Sequence, residues 1–307
     1  MSVTAEGSVS VGRTVLLTAQ IGSRNNGLST EGSDSDIMVF VAPTFRDLFA
    51  SKRHTAHTID GDVDVAEYDI RRLPELVRKA NPAFLEVMFS EHIVADTAAA
   101  PYVRAMMDMR DRAAAMNLPV MWDSGMGVHH QKMAKALRPT PDSQHLFDSH
   151  GYNTKEAMRA MRVLRVLSRF AESGFSDYGG AMRADPAERG YLLSIRDGGM
   201  GWDEFQEAVS AQLAETERWR DAYRGRPFDH EADDRMEALA MDAVASVLEV
   251  PVPGGSLRCS RTGRTWRRSR RGSAPYARPR PASGGSPCTA PAPAGTSGRT
   301  ATTTSWP

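Results

Sequence analysis

GSRNNGLSTEGSDSDIMVF, residues 22–40, passes from a polar, glycine-spotted loop into an apolar run. The loop opens on Gly22-Ser23-Arg24 and closes on Asp34-Ser35-Asp36, after which Ile37, Met38, Val39 and Phe40 read as a buried strand. In an extended chain residues i and i+2 project to the same side, so Asp34 and Asp36 stand together at the mouth of that strand. Two carboxylates so close repel each other and raise each other's pKa unless a cation lies between them. Mg²⁺ suits the pair, because it takes oxygen ligands, needs few protein carboxylates and completes its shell with water and substrate phosphates. Gly22 lets the backbone approach a phosphate, and Ser23 and Arg24 offer a hydroxyl and a cation to hold one. The plain alternative is a solvated loop in which an Asp caps a turn.

Thr14 to Ile21 (TVLLTAQI) reads as a strand before the loop, Asp36 to Val41 as the strand after it, and Asp62 to Val65 as a third. DIRRLPELVRKA, residues 69–80, has helical spacing with Ile70, Leu73, Leu76 and Val77 on one face. Pro74 places its start near Leu73. Tyr102 to Met116 reads as another amphipathic helix. Farther on, Thr154 to Glu172, Trp202 to Tyr223 and Asp233 to Leu248 read as long helices. Gly125 to His150, polar and with four His, reads as a connection. The expected fold is α/β (α+β). A small mixed-sheet core fills residues 1–125, a helical C-terminal domain residues 126–250, and a basic tail residues 251–307.

With 41% hydrophobic and 25% charged residues, the chain has the composition of a globular protein. Its formal net charge of zero conceals an asymmetry. The segment from Pro251 holds ten Arg, no Lys and no acid, which leaves 28 basic residues against 38 acids in residues 1–250. A body so acidic argues against nonspecific coating of nucleic acid, which depends on neutralising phosphates. No apolar run approaches the roughly 20 residues of a membrane span, and both cysteines, Cys259 and Cys288, lie in the tail. The expected location is the cytoplasm, with no membrane partner.

Strand, Gly-Ser, variable loop, Asp-x-Asp, strand: this order is similar to the active site of the DNA polymerase beta-like nucleotidyltransferase superfamily. More narrowly, the stretch resembles nucleotidyltransferases of bacteria and their phages, at Gly22, Ser23, Arg24, Gly27, Ser33, Asp34 and Asp36. The resemblance continues over residues 64–90, at Asp64, Tyr68, Asn81, Pro82 and Glu86, and resumes in GYNTKEAMRAMRVLRVL and YLLSIRDGGM. It implies a third metal-binding carboxylate, Asp64, although Asp62, Glu67 and Asp69 compete for that place. It also implies transfer of a nucleoside monophosphate from a nucleoside triphosphate, ATP among the candidates, to an acceptor hydroxyl on RNA, protein or a small alcohol. Mg²⁺ held by Asp34, Asp36 and Asp64 is the implied cofactor. A non-catalytic nucleotide- or RNA-binding protein of the same fold, or one half of a toxin–antitoxin pair, are the alternatives. In one respect the chain departs from the family: Glu156 and Arg159 stand where histidines are usual, so no role of those histidines carries over.

Lys155, Arg159, Arg162, Arg165 and Arg169 share one helix face. Like charges so spaced cost an isolated helix about 0.2–0.5 kcal/mol per pair, so the stripe calls for anionic partners. Lys155 and Arg162, which also match the family, are read as triphosphate ligands. Arg165 and Arg169 are read as pairing with acids of the first domain. His129-His130 and His54-x-x-His57 are read as surface-loop residues, Glu86 and Asn81 as local structure, and Met106, Met107 and Met109 as core.

The tail from Pro251 has almost no aliphatic residues and is expected to be disordered. An out-of-frame read of a GC-rich gene is preferred to a basic nucleic-acid arm. Ending the chain at Val250 removes ten positive charges and no apolar core. Scanning calorimetry is therefore expected to find the melting temperature within a few degrees of the full chain; a larger fall would show that the tail packs.

Overall fold

The computed structural model describes residues 12–248; the first eleven residues and everything from Glu249, including the basic tail, lie outside the described residues. Along the chain, β1 (Val15–Ile21) and β2 (Ser35–Val41) precede the short helix α1 (Phe45–Phe49). Next come β3 (Thr55–Asp60), β4 (Val63–Asp69), α2 (Arg72–Arg78), α3 (Pro82–Met88), β5 (Ile93–Ala95), α4 (Ala100–Asp108) and α5 (Arg110–Ala115). The remainder is helical: α6 (Leu118–Ala136), α7 (Gln144–His150), α8 (Thr154–Glu172), α9 (Tyr178–Met182), α10 (Pro186–Arg196), α11 (Trp202–Glu217), α12 (Arg220–Arg224) and α13 (His230–Val247). A mixed sheet followed by helices is the fold class expected.

The sheet has the order β3-β4-β2-β1-β5. Only β2 and β4 run parallel; the other neighbours are antiparallel. β1 and β2 bury Leu16, Leu17, Ala19, Met38, Val39, Phe40 and Val41, which accounts for their near-continuous apolar sequence. β3 is a sheet edge with almost every residue exposed, so it carries no apolar alternation and was not legible as a strand.

Helix starts follow local chemistry. The side chain of Asn81 caps α3 by accepting from the Ala83 N–H, with Pro82 in the first turn. Asn153 caps α8 by accepting from the Glu156 N–H. α8 spans the residues expected and buries Ala157, Met161, Leu164, Leu167 and Ala171. Two expected single helices are each broken: Tyr102–Met116 turns at Met109, between α4 and α5, and Trp202–Tyr223 turns at Arg218 and Trp219, between α11 and α12.

The connection expected over Gly125–His150 is instead mostly helical, in α6 and α7 with a 3₁₀ turn at Pro141–Ser143 between them. Its glycine and histidine have packing roles. A Cβ on Gly125 would stand 2.8 Å from Leu167 Cδ1, so the missing side chain lets α6 lie close to α8. His129 is buried in the same seam, its Nδ1 donating to the Ala160 carbonyl at 3.1 Å. Residues 125 and 126, where the sequence suggests a change of region, fall within α6.

One hydrophobic cluster runs from the sheet into the helices. α13 returns to the N-terminal half, where Arg78 donates to Asp233 at 2.7 Å and Arg112 to Asp229 at 2.6 Å. The residues 12–248 form one compact unit.

Part of the α8 stripe is structural. Glu188 of α10 is 5% exposed and receives both Arg165 Nε, at 3.1 Å, and Arg169 Nη1. Arg169 also donates to the carbonyls of Gly180 and Arg183. These two arginines are paired as expected, but their acid lies in α10 and not in the first domain. Removing one partner of a buried ion group costs roughly 3–5 kcal/mol, and these guanidiniums keep some solvent contact. Glu188→Ala is therefore expected to cost about 3 kcal/mol in urea unfolding; a loss below about 1 kcal/mol would mean that solvent already satisfies the pair.

Candidate active site

The parallel register of β2 and β4 sets Asp36 directly beside Asp64, on the same face of the sheet. On its other flank Asp36 faces Ile21 of β1. Asp34 lies just outside β2, where the Ser35 N–H donates to the Asp62 carbonyl at 2.8 Å and sutures the mouths of the two strands. Burial raises the Asp36 pKa above the usual aspartate value, and the charges of Asp64 and Asp34 raise it further; Arg159 and Arg24 offset part of this.

Two of the three competing acids are occupied elsewhere. Glu67 meets His54 Nε2 at 3.1 Å. The fully buried Asp69 accepts from Arg71 at 2.9 and 2.6 Å. Asp62 contributes its backbone carbonyl. Asp64 reaches His57 Nε2 at 2.5 Å, with both side chains substantially exposed. His57 therefore sits on the edge strand beside a candidate carboxylate, and His129 lies inside α6; neither is in a surface loop. Among the described residues no three His, Cys, Asp or Glu side chains converge into a ready-made metal cage.

Gly22 follows β1 with φ +77°, a conformation that favours glycine. A Cβ there would fall 1.9 Å from Asp36 Oδ2. The glycine is thus required twice, by its backbone and by the carboxylate that fills the space of its absent side chain. The turn closes through Asn25 and Asn26 N–H groups donating to the Gly22 carbonyl, both at 3.1 Å. Beneath it, Glu86 accepts from the Gly22 N–H at 2.7 Å and from Asn25 Nδ2 at 3.3 Å. Burial raises the Glu86 pKa, partly countered by Arg162. Ser23 lies in the same turn, half-buried. Arg24 is exposed and donates to the carbonyls of Asp34 at 3.3 Å and Ser33 at 3.0 Å, spanning the loop from its first residues to its last.

The helical region holds this loop from the far side. Arg189 donates to the carbonyls of Gly27 and Ser29 at 2.8 and 2.7 Å, and the Ala184 N–H donates to Asn26 O at 3.0 Å. On α8, Lys155 is exposed with no polar partner among the described residues. Arg162 donates to the Met182 carbonyl at 3.1 Å and lines, with Glu86 and Tyr178, an internal cavity of about 50 Å³. Sequence reasoning passed over Glu86 as a tie to Gly22, and over Arg159 as a charge felt at Asp36. Both depend on contacts between segments distant in sequence.

Chemically, Asp36 and Asp64 put hard carboxylate oxygens side by side, and Asp36 is held above its usual pKa by burial first and by the charges of Asp64 and Asp34 second. That fits Mg²⁺, which needs only one or two protein carboxylates when substrate phosphates complete its shell.

Residues 3–165 match the family model described as RNA repair pathway DNA polymerase beta family, RlaP. No curated protein matches the chain.

Because the folded-state pKa of Asp36 is raised, the folded protein binds this proton more readily than the unfolded chain. The group therefore favours folding at low pH, and that contribution is lost as pH rises through the folded pKa. In metal-free buffer at pH 7, Asp36→Asn is expected to hold or raise the melting temperature, with the gain shrinking as pH falls through the carboxylate range. A lower melting temperature at pH 7 would show that the Asp36 charge is satisfied.

Proposed function

This chain belongs to the RNA repair pathway DNA polymerase beta family, and we propose that it transfers a nucleoside monophosphate from a nucleoside triphosphate to a hydroxyl at an RNA end. The observation that carries the reading is the juxtaposition of Asp36 with Asp64, and of Asp34 close by, with the Asp36 carboxylate seated directly against the Gly22 turn. The family description supports RNA as the acceptor.

Asp34, Asp36 and Asp64 would hold Mg²⁺. When bound, the metal would lower the pKa of the attacking hydroxyl and neutralise charge on the leaving pyrophosphate. Ser23 offers a hydroxyl to the triphosphate. Arg24, anchored on the Asp34 loop, keeps that loop in place and adds positive charge beside the phosphates. Lys155 supplies a cation from the helical side, and Arg162 does so from the wall of the cavity it shares with Glu86. The new bond joins the acceptor oxygen to the α-phosphorus as the bond to the β-phosphate breaks; the hydroxyl proton passes to solvent, and pyrophosphate leaves.

The test incubates the full chain with Mg²⁺, an RNA oligonucleotide ending in a 3′-hydroxyl, and each labelled triphosphate in turn. Labelled RNA with stoichiometric pyrophosphate is expected. Asp34→Asn and Asp36→Asn are each expected to lower the rate on the order of 100-fold, equivalent to about 2.7 kcal/mol of barrier. Calorimetry should show weaker Mg²⁺ binding in both. Triphosphate binding without pyrophosphate release would identify a non-catalytic binder; unchanged Mg²⁺ affinity in both variants would remove the carboxylates from the metal site.

A further inference from the structure

The cations of the α8 stripe have separate fates. Arg165 and Arg169 are tied to Glu188, and Arg162 turns to the Met182 carbonyl inside the protein. Arg159 differs. It is 55% exposed, and its single hydrogen bond among the described residues is from Nη1 to Glu156 Oε1, at 2.5 Å. A guanidinium has five N–H donors, so most of its capacity faces outward.

Its partner is unusual for a surface pair. Glu156 is buried, 8% exposed, and its other oxygen lies 2.9 Å from the ammonium of Lys132 on α6. One buried carboxylate thus holds two cations from two helices, and the cluster keeps a net positive charge. Its pKa is lowered despite burial, through Lys132 and Arg159. The placement of the cluster is set by its neighbours. Arg162 lies one turn further along α8 and shares a cavity wall with Glu86, which bonds the Gly22 turn. Arg159 stands one turn before Arg162 on the same face of α8, and Glu86 links that region to the Gly22 turn against which the Asp36 carboxylate lies; the charge of Arg159 is felt at Asp36.

We propose that Arg159 is a ligand of the donor's phosphate chain, and that Glu156, held in turn by Lys132, is the positioning residue that keeps its guanidinium aimed at the carboxylate mouth. The ligand class is a triphosphate, whose charge exceeds that of a monophosphate at the end farthest from the α-phosphorus. The inference rests on the triphosphate-donor reading above. It adds three residues that reading does not use, Arg159, Glu156 and Lys132, and gives Arg159 a role distinct from the paired arginines below it.

The experiment measures dissociation constants of nucleoside triphosphate and monophosphate in Mg²⁺ for the full chain and its variants. Arg159→Ala is expected to weaken triphosphate binding about tenfold or more, as befits a charge-assisted bond, and to leave monophosphate binding nearly unchanged. Arg159→Lys should recover part of the loss. Glu156→Gln and Lys132→Gln should lower the triphosphate-to-monophosphate preference by smaller factors, which a purely structural ion pair would not do. Arg165→Ala is the control. If the wild type binds no triphosphate, the donor reading itself fails. If it binds triphosphate and releases pyrophosphate while Arg159→Ala keeps the full preference, this inference alone is overturned. Loss of affinity for an RNA oligonucleotide with triphosphate binding intact would also overturn it, by placing Arg159 on the acceptor. Should Glu156→Gln melt early, Arg159→Ala and Arg159→Lys decide the matter by themselves.

Discussion

Two parallel strands set two carboxylates side by side, and much of the site answers to that repulsion. The register of β2 against β4 leaves Asp36 no choice of neighbour but Asp64, while the preceding loop brings Asp34 to the same mouth. Burial first, and like charges at such spacing second, raise the Asp36 pKa and cost stability unless something positive comes near. Within the protein, Arg24 and Arg159 offset only part of this. The remaining imbalance is what an incoming Mg²⁺ and its phosphates would relieve, and it persists because the strands on either side are locked by backbone hydrogen bonds.

The loop over those carboxylates is held from three directions. Glu86 takes the Gly22 N–H from below, Arg24 spans the loop to its far end, and Arg189 with Ala184 fixes its middle from the helical region. Preorganisation of this kind removes the ordering cost that a loose glycine loop would otherwise bring to ligand binding. It also explains why the segment around α10, remote in sequence from the carboxylates, belongs to the site: its arginine bonds carbonyls of the loop that carries Ser23 and Asp34.

α8 divides its charge along its length. Near its C-terminal end, arginines are spent on the buried Glu188 and on carbonyl groups, which ties α8 to α10. Near its N-terminal end, Lys155 and Arg159 keep donors exposed to solvent. A single amphipathic element thereby contributes both to the core and to an exposed cationic surface. Identical residue types do different work because their surroundings differ in the number of competing acceptors.

Much was legible in the chain alone because it was encoded locally. The switch from Gly-Ser loop through Asp-x-Asp to an apolar strand, the two central strands, and the 3.6-residue period of α8 need no distant partner to be read. Edge strand β3 and helix α6 were not legible, one because its exposed residues carry no alternation, the other because Gly125 and His129 make sense only against Leu167 and Ala160 of α8. The same limit applies to the site. Residue types and spacing determined that carboxylates, a glycine turn and a basic stripe exist. Tertiary structure alone decided that Asp64, not Asp62, Glu67 or Asp69, lies beside Asp36. It also decided that Glu188 occupies two of the stripe's arginines, and that Glu156 joins Arg159 to Lys132. Register and packing bring together groups tens of residues apart, and no local pattern records which of several like-charged side chains will meet.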